Sequence, residues 1–315
     1  MRRQAGGVAG PRWLAPVGHT PACIFALAPE VQGTRACNTE GRGSKLHHIG
    51  EPMPSDSRSV AVVTGASSGI GLELSRLLAS DRHDLVIVAQ HAERLAQVAR
   101  ELTTRYGVRV VEIATDLNDP AAPPDIEREL NRQGLTPDVL VNNAGFGLRG
   151  SFAEIDLKEQ LRMIQVNVSA LTHLTGLLLP GMLERRRGRV LNVASTAAFQ
   201  PGPLMAVYYA TKAYVLSFSE ALANETNGSG VTVTALCPGP TATAFQKRAG
   251  LEGTQLFRGG VMDAATVARH GYEGMMRGAR VVIPGWRNRL LAQLVGFAPR
   301  RMVIQAVRSL QERRR

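Results

Sequence analysis

The sequence predicts an α/β protein, a doubly wound parallel sheet of about seven strands flanked by helices in a single domain. Three observations carry this. From Ser59 onward, short runs rich in Val, Ile and Leu alternate with helix-length segments. The runs are apolar throughout rather than alternating, as strands covered on both faces require. The composition, 44% hydrophobic but only 5% aromatic with 32 glycines, suits an aliphatic core with tight turns. A chain of 315 residues holds one α/β unit of roughly 200–250 residues with segments to spare at each end.

The elements follow in order. "VAVVTG" is the first strand, and residues 70–80 form a helix with Leu72, Leu77 and Leu78 available to the core. "DLVIVA" (84–89) is the second strand, followed by a helix over 92–106. "RVVEIATD" is the third strand, with a helix at 125–133, and "PDVLVNNAG" is the fourth strand and its turn. A long helix covers 158–185. "GRVLNVAS" is the fifth strand, 205–225 a helix and "VTVTALCPG" the sixth strand; a helix at 263–276 and "RVVIPG" close the series. Ligands of such sheets bind beyond the C-terminal ends of the strands, and most of the unusual residues fall there.

The formal charge of +11 sits at the two ends. Residues 1–50 hold six basic residues against two acids, and residues 286–315 hold eight arginines against one acid, while the middle is balanced. A nucleic-acid enzyme would carry its basic charge on the core, so nucleic acid is not an expected partner. Cys23, Cys37 and Cys237 form neither a disulfide framework nor a metal-like pair, which points to a reducing compartment, the cytoplasm. The uncharged stretch 163–183 is long enough to span a bilayer but carries Gln165, Asn167, Ser169, Thr172, His173 and Thr175. It reads as a buried helix of a soluble fold. Residues 1–57 lack periodicity and read as a disordered extension, or as a start assigned upstream of Met53. The expected division is thus 1–57, a catalytic domain over 58–285, and a basic amphipathic tail over 286–315.

"TGASSGIG" joins the first strand to its helix, placing Gly65, Gly69 and Gly71 where backbone must approach a pyrophosphate and where a helix offers unpaired N–H groups. "YYATK" (208–212) puts Tyr208 and Lys212 at i and i+4 on one helix face; Tyr209 points about 100° away and packs or lines the substrate side. These motifs, with "NNAG" at 142–145, Asn167, Ser195 and Pro238-Gly239, resemble the short-chain dehydrogenase/reductase family in order and spacing, in its compact single-domain branch with a Rossmann-type sheet. The resemblance covers about 59–285 and leans toward the ketoacyl- and steroid-type reductases.

The resemblance implies an NAD(P)-dependent oxidoreductase that interconverts a carbonyl and an alcohol. Tyr208 is then the acid–base group, Ser195 a donor to the carbonyl oxygen, and Lys212 the cation that lowers the Tyr208 pKa, aided by an oxidised nicotinamide, and holds the ribose. Asn167 holds a water that passes protons to Lys212, through its side chain or a freed backbone carbonyl. Gly65, Ser67, Ser68, Gly69, Ile70 and Gly71 cradle the phosphates, and Asp116 and Leu117 meet the adenine. Asn143, Ala144 and Gly145 line the cofactor and steady the sheet; Pro238, Gly239, Thr241 and Thr243 cover the nicotinamide. No metal site is expected. A catalytically silent nucleotide-binding sensor or regulatory protein on the same fold is the alternative. Strand 2 ends in Gln90 and His91 with no acid to repel a 2′-phosphate, so NADP(H) is favoured over NAD(H), although the arginine pair of NADP-using relatives is missing.

Phe146, Phe199, Leu204, Met205, Phe245, Leu256 and Phe257 suggest an apolar substrate pocket. The helices at 158–185 and 205–225 are expected to pair across a two-fold axis, giving a homodimer or homotetramer. The tail either lies on an anionic membrane surface or packs on the core with its arginines solvated.

Overall fold

In the computed structural model, residues 58–251, 253–255 and 260–312 are described. They fall within one compact unit, Pro54–Arg315. The expectations for residues 1–57, and for Leu256 and Phe257, lie outside the described residues.

The strands are β1 (Val60–Thr64), β2 (Asp84–Ala89), β3 (Val110–Ala114), β4 (Pro137–Asn142), β5 (Gly188–Val193), β6 (Val231–Leu236) and, further along, β9 (Val281–Val282). They form one seven-stranded sheet in the order β3-β2-β1-β4-β5-β6-β9, every pair parallel. The chain starts in the middle, winds to one edge and then reverses from β1 to β4. This reversal opens a crevice at the C-terminal edge. A short parallel pair, β7 (Thr241–Ala242) with β8 (Met262–Asp263), stands beyond that edge.

Helices cover both faces. α1 (Gly69–Ser80), α2 (Ala92–Tyr106) and α8 (Ala264–Met276) bury Leu74, Leu78, Leu95, Leu102 and Met275 on one side. α3 (Ala122–Arg132), α4 (Leu157–Ile164), α5 (Leu171–Glu184) and α6 (Ala206–Glu225) cover the other, with Ile126, Leu130, Met163, Leu174 and Met182 in the core. α3 starts three residues before the expected 125, because Pro123 and Pro124 occupy its first turn, where the missing N–H has no helical partner to lose. β3 stops at Ala114 because Asp116 already opens a turn, its Oδ1 accepting from Asn118 N at 2.9 Å.

The long helix expected over 158–185 runs from Leu157 to Glu184, but with a π turn, Gln165–Ala170, between α4 and α5. By length and composition this 28-residue run could cross a membrane, with a mean hydropathy of 1.3. Its inner face, with Gln160, Asn167 and Thr175, is buried in the fold. Its outer face leaves Leu157, Leu161 and Ile164 exposed.

The segment after Gly285 forms two helices. α9 (Trp286–Val295) has no buried residue; α10 (Arg300–Gln311), following Pro299, turns inward and buries Val307 and Gln311. α7 (Ala244–Arg248) follows β7, and its Phe245 packs against the cluster that holds Val307 of α10.

Candidate active site

The crevice is lined by residues from six strand ends, those of β1 to β6, and encloses a cavity of about 460 Å3. Thr64, last in β1, ties two of those ends together. Its Oγ1 donates to Val141 O at 3.2 Å and accepts from Asn143 N at 3.0 Å and Ala144 N at 3.1 Å. Asn143 Nδ2 in turn donates to Thr64 O at 2.9 Å and Gly65 O at 3.2 Å. Beneath the crevice, Asn142 Nδ2 donates to Asn192 Oδ1 and Thr175 Oγ1, and Asn192 Nδ2 to Ser219 Oγ. This buried polar chain pins β4 and β5 to α5 and α6. The turn "NNAG" therefore steadies the sheet through its asparagines.

The glycines of the first turn leave no room for side chains. Gly65 has φ +66°, and a Cβ there would lie 2.7 Å from Asn143 Nδ2. A Cβ at Gly71 would fall 2.3 Å from Asn143 Nδ2 and 2.4 Å from Gly65 O. Gly69 faces Thr243 across the crevice. This narrow backbone cradle at the start of α1 fits a diphosphate. Gly65, Ser67, Ser68, Gly69, Ile70, Gln90, Asp116, Leu117, Asn143, Ala144, Gly145, Pro238, Gly239, Thr241 and Thr243 all line the cavity. Gly71 and Asn167 do not; both stand behind its wall.

At the adenine-side corner, Gln90 Nε2 donates to Asp116 Oδ1 at 2.6 Å, and Arg162 lies 3.6 Å from Asp116 Oδ2. Arg94 also lines this corner, one turn into α2. The end of β2 does not mark this residue in the sequence; its place three residues past His91, in the first turn of α2, is the available signal.

Ser195, Tyr208 and Lys212 meet at the other end. Ser195 follows β5, and its Oγ accepts from Ala197 N at 3.1 Å. Tyr208 and Lys212 stand on α6, with Lys212 Nζ 5.9 Å from the Tyr208 ring centroid and donating to Val193 O at 2.7 Å. The expected lowering of the Tyr208 pKa is not found in the protein alone. Burial pushes the phenol well above its ordinary value, and its hydrogen bond with Ser195 recovers only part. Lys212 is itself buried, which pushes its pKa down to about 8, with the neighbouring Cys237 opposing. Burial thus dominates both shifts, because the phenol and the ammonium share one dry pocket.

Asn167 sits in the π turn with both ends of its side-chain amide hydrogen-bonded. Its Nδ2 donates to Phe146 O at 2.9 Å and Thr211 Oγ1 at 3.1 Å, and its Oδ1 accepts from Phe146 N at 3.1 Å. Three of its four hydrogen-bond positions are thus occupied, with one lone pair of Oδ1 left. The backbone option stands, since a π turn interrupts the regular i→i−4 ladder.

Among the residues expected to form an apolar pocket, Phe146, Met205 and Phe245 line the cavity. Phe199 instead packs beside Leu171 and Val215, and Leu204 supplies a backbone carbonyl to Gly150 N at 2.8 Å from a left-handed φ of +65°. Tyr209, Leu251, Arg248 and Gln311 also line the cavity. Gln311 is far away in sequence, and no local pattern marks it.

The sequence model of a family described as short chain dehydrogenase matches residues 59–252. This chain belongs to that family. The very-long-chain 3-oxoacyl-CoA reductase of Anas platyrhynchos is 37% identical over 191 residues, 59% of this chain and 61% of that relative. The chain thus matches about three-fifths of the length of such curated relatives. A short-chain dehydrogenase from Sphingobium yanoikuyae in complex with NADPH is 32% identical, with a TM-score of 0.69 over 81% of this chain and 98% of that one. The L-sorbose reductase from Gluconobacter frateurii, complexed with NADPH and L-sorbose, is 28% identical with a TM-score of 0.64, covering 72% of this chain and 95% of that one. The chain shares its fold with these solved structures, and its own crevice stands over a parallel seven-stranded sheet.

Proposed function

We propose that the protein is an NADP(H)-dependent oxidoreductase that interconverts a carbonyl and an alcohol on an apolar substrate. The observation that carries this reading is the meeting of Ser195, Tyr208 and Lys212 where a cavity walled by Phe146, Met205 and Phe245 adjoins the glycine cradle. When bound, the nicotinamide supplies or accepts the hydride. The cradle from Gly65 to Ile70, packed from behind by Gly71, holds the phosphates; Asp116 and Leu117 hold the adenine; Asn143, Ala144 and Gly145 line the middle; Pro238, Gly239, Thr241 and Thr243 cover the nicotinamide.

Ser195 donates a hydrogen bond to the substrate carbonyl oxygen, and Tyr208 delivers the proton as the alcohol forms. A buried, neutral phenol is the form that reduction needs. Lys212 stands beside Tyr208 and, with a water on the π-turn backbone at Asn167, returns the proton. Lys212 also holds the cofactor ribose. The preference for NADP(H) rests on Gln90 and His91, which place no carboxylate where a 2′-phosphate would lie, and on Arg94, whose cation lines that corner. The NADPH in the Sphingobium and Gluconobacter structures supports the same reading, and the relatives named 3-oxoacyl-CoA reductases support a long-chain acyl substrate.

We read the protein as a homodimer joined through α4, α5 and α6. Leu157, Leu161, Ile164 and Tyr214 are exposed there, with Tyr214 stacked on Phe218 at 5.7 Å. We also read α9 as a membrane-contacting surface of an otherwise cytoplasmic enzyme. Trp286, Leu290, Leu291 and Leu294 are exposed along it and Phe297 just past its end, beside Arg287 and Arg289.

The decisive experiment follows nicotinamide absorbance over a panel of apolar ketones, including 3-oxoacyl thioesters, with each cofactor in turn. Turnover with a kcat/KM higher for NADPH than for NADH is expected. No turnover of any carbonyl would leave the silent binder standing, and an equal or higher kcat/KM with NADH would remove the cofactor preference.

A further inference from the structure

The cavity extends past Tyr208 to a wall made by α10. Val307 and Gln311 on that helix are buried against a cluster that includes Met205, Tyr209, Ala249 and Leu251. Gln311, the last helical residue, is fully buried and lines the cavity. Arg149 Nε donates to its backbone oxygen at 2.7 Å, fixing the end of the helix. Its side-chain Nε2 donates to the Tyr209 hydroxyl at 2.8 Å, but its Oε1 is buried with no hydrogen-bond partner. Turning the amide over does not remove the deficit. The Tyr209 hydroxyl then donates to the oxygen and the NH2 is left over. A fully buried amide with half its capacity unused, in a wall otherwise largely apolar, is costly unless something fills it.

We propose that Gln311, oriented by Tyr209, is a specificity residue that hydrogen-bonds a hydroxyl on the substrate, remote from the reacting carbonyl. A hydroxyl both donates and accepts, so it satisfies the amide in either orientation. The subsite lies away from the glycine cradle, so it reads substrate rather than cofactor. The inference rests on the carbonyl–alcohol reading for the position of the reacting group. It adds that the preferred substrate carries an apolar body with a second, polar end, rather than a plain hydrocarbon ketone.

The test measures binding without turnover. Protein saturated with NADP+ cannot reduce a ketone, so calorimetry reads affinity alone. The probes are ketones bearing a tertiary hydroxyl, which has no carbinol hydrogen for NADP+ to take, at increasing distance from the carbonyl, each paired with its deoxy analogue. For at least one spacing, the parent is expected to bind the hydroxyketone about tenfold more tightly than its partner. Gln311→Leu is expected to bring that ratio to about one while keeping the affinity for the deoxy ketone. Gln311→Asn serves if the leucine variant does not fold, and NADP+ titration reports folding in both. A parent that binds every pair equally, or a preference that survives both substitutions, overturns the proposal. Lack of turnover with NADPH would strike the reading of the reaction and leave this binding ratio measurable.

Discussion

At the residue scale, two adjacent tyrosines have different surroundings. Tyr208 meets Ser195 and Lys212, while Tyr209 turns to Gln311. If Tyr208 is the acid–base group, Tyr208→Phe is expected to lower kcat by about 10²-fold or more with little change in NADPH affinity. Tyr209→Phe should lower kcat far less, and stopped-flow single turnover with both variants checks the order. Lys212 makes a pH prediction for the cofactor-free protein. Its folded pKa of about 8 lies below the ordinary lysine value of 10.5. Between these values the unfolded chain binds a proton that the folded chain does not, so this group's contribution to stability rises with pH across the window. Below about pH 8 the full penalty applies, about 3 kcal/mol. Urea unfolding of the parent and Lys212→Met should therefore show a stability difference that shifts in the parent's favour by about 2 kcal/mol between pH 7.5 and 9.5. A difference independent of pH would remove the claim that burial depresses this lysine.

At the element scale, the crevice is held open by strand ends that bond to each other. Thr64 Oγ1 alone serves two backbone N–H groups of the β4 turn. Thr64→Val keeps the shape, orphans Ala144 N and leaves Asn143 N only its 3.1 Å bond to Val141 O, so a loss of about 1–3 kcal/mol is expected in denaturant unfolding, with weaker NADPH binding alongside. A variant as stable as the parent would mean that other groups satisfy those amides. The π turn between α4 and α5 is similarly a tertiary product. Asn167 binds the Phe146 backbone from both halves of its amide, and the helix accommodates this by taking in an extra residue.

At the scale of the whole molecule, the two readings of assembly are separable. Light scattering at micromolar concentration is expected to give a dimer or tetramer, and Leu161→Arg on the exposed face of α4 a monomer. A parent that is already monomeric counts against pairing. Flotation with anionic liposomes is expected to carry the parent, and to lose a variant with Trp286, Leu291 and Phe297 changed to Ser. Equal failure of both to float would leave α9 without a membrane role, though α10 would still wall the cavity.

The sheet, its order of elements and more than half of the residues lining the crevice were legible in the sequence. Those features are written locally, in apolar runs, a glycine turn and an i,i+4 pair, where chemistry and position coincide. The strand bounds of β2 and the helix bounds of α2 match the reading residue for residue. Three things were decided only by the tertiary structure. The Tyr208 and Lys212 pKa shifts depend on burial, which the whole fold sets and spacing does not. The π turn depends on a contact between Asn167 and a loop 21 residues away. The far wall of the cavity depends on α10 returning to Tyr209 across 102 residues, through Gln311, which no pattern in its own segment singles out. Local signals place the chemistry of a site; its dryness and its far boundary come from segments that meet only when the chain has folded.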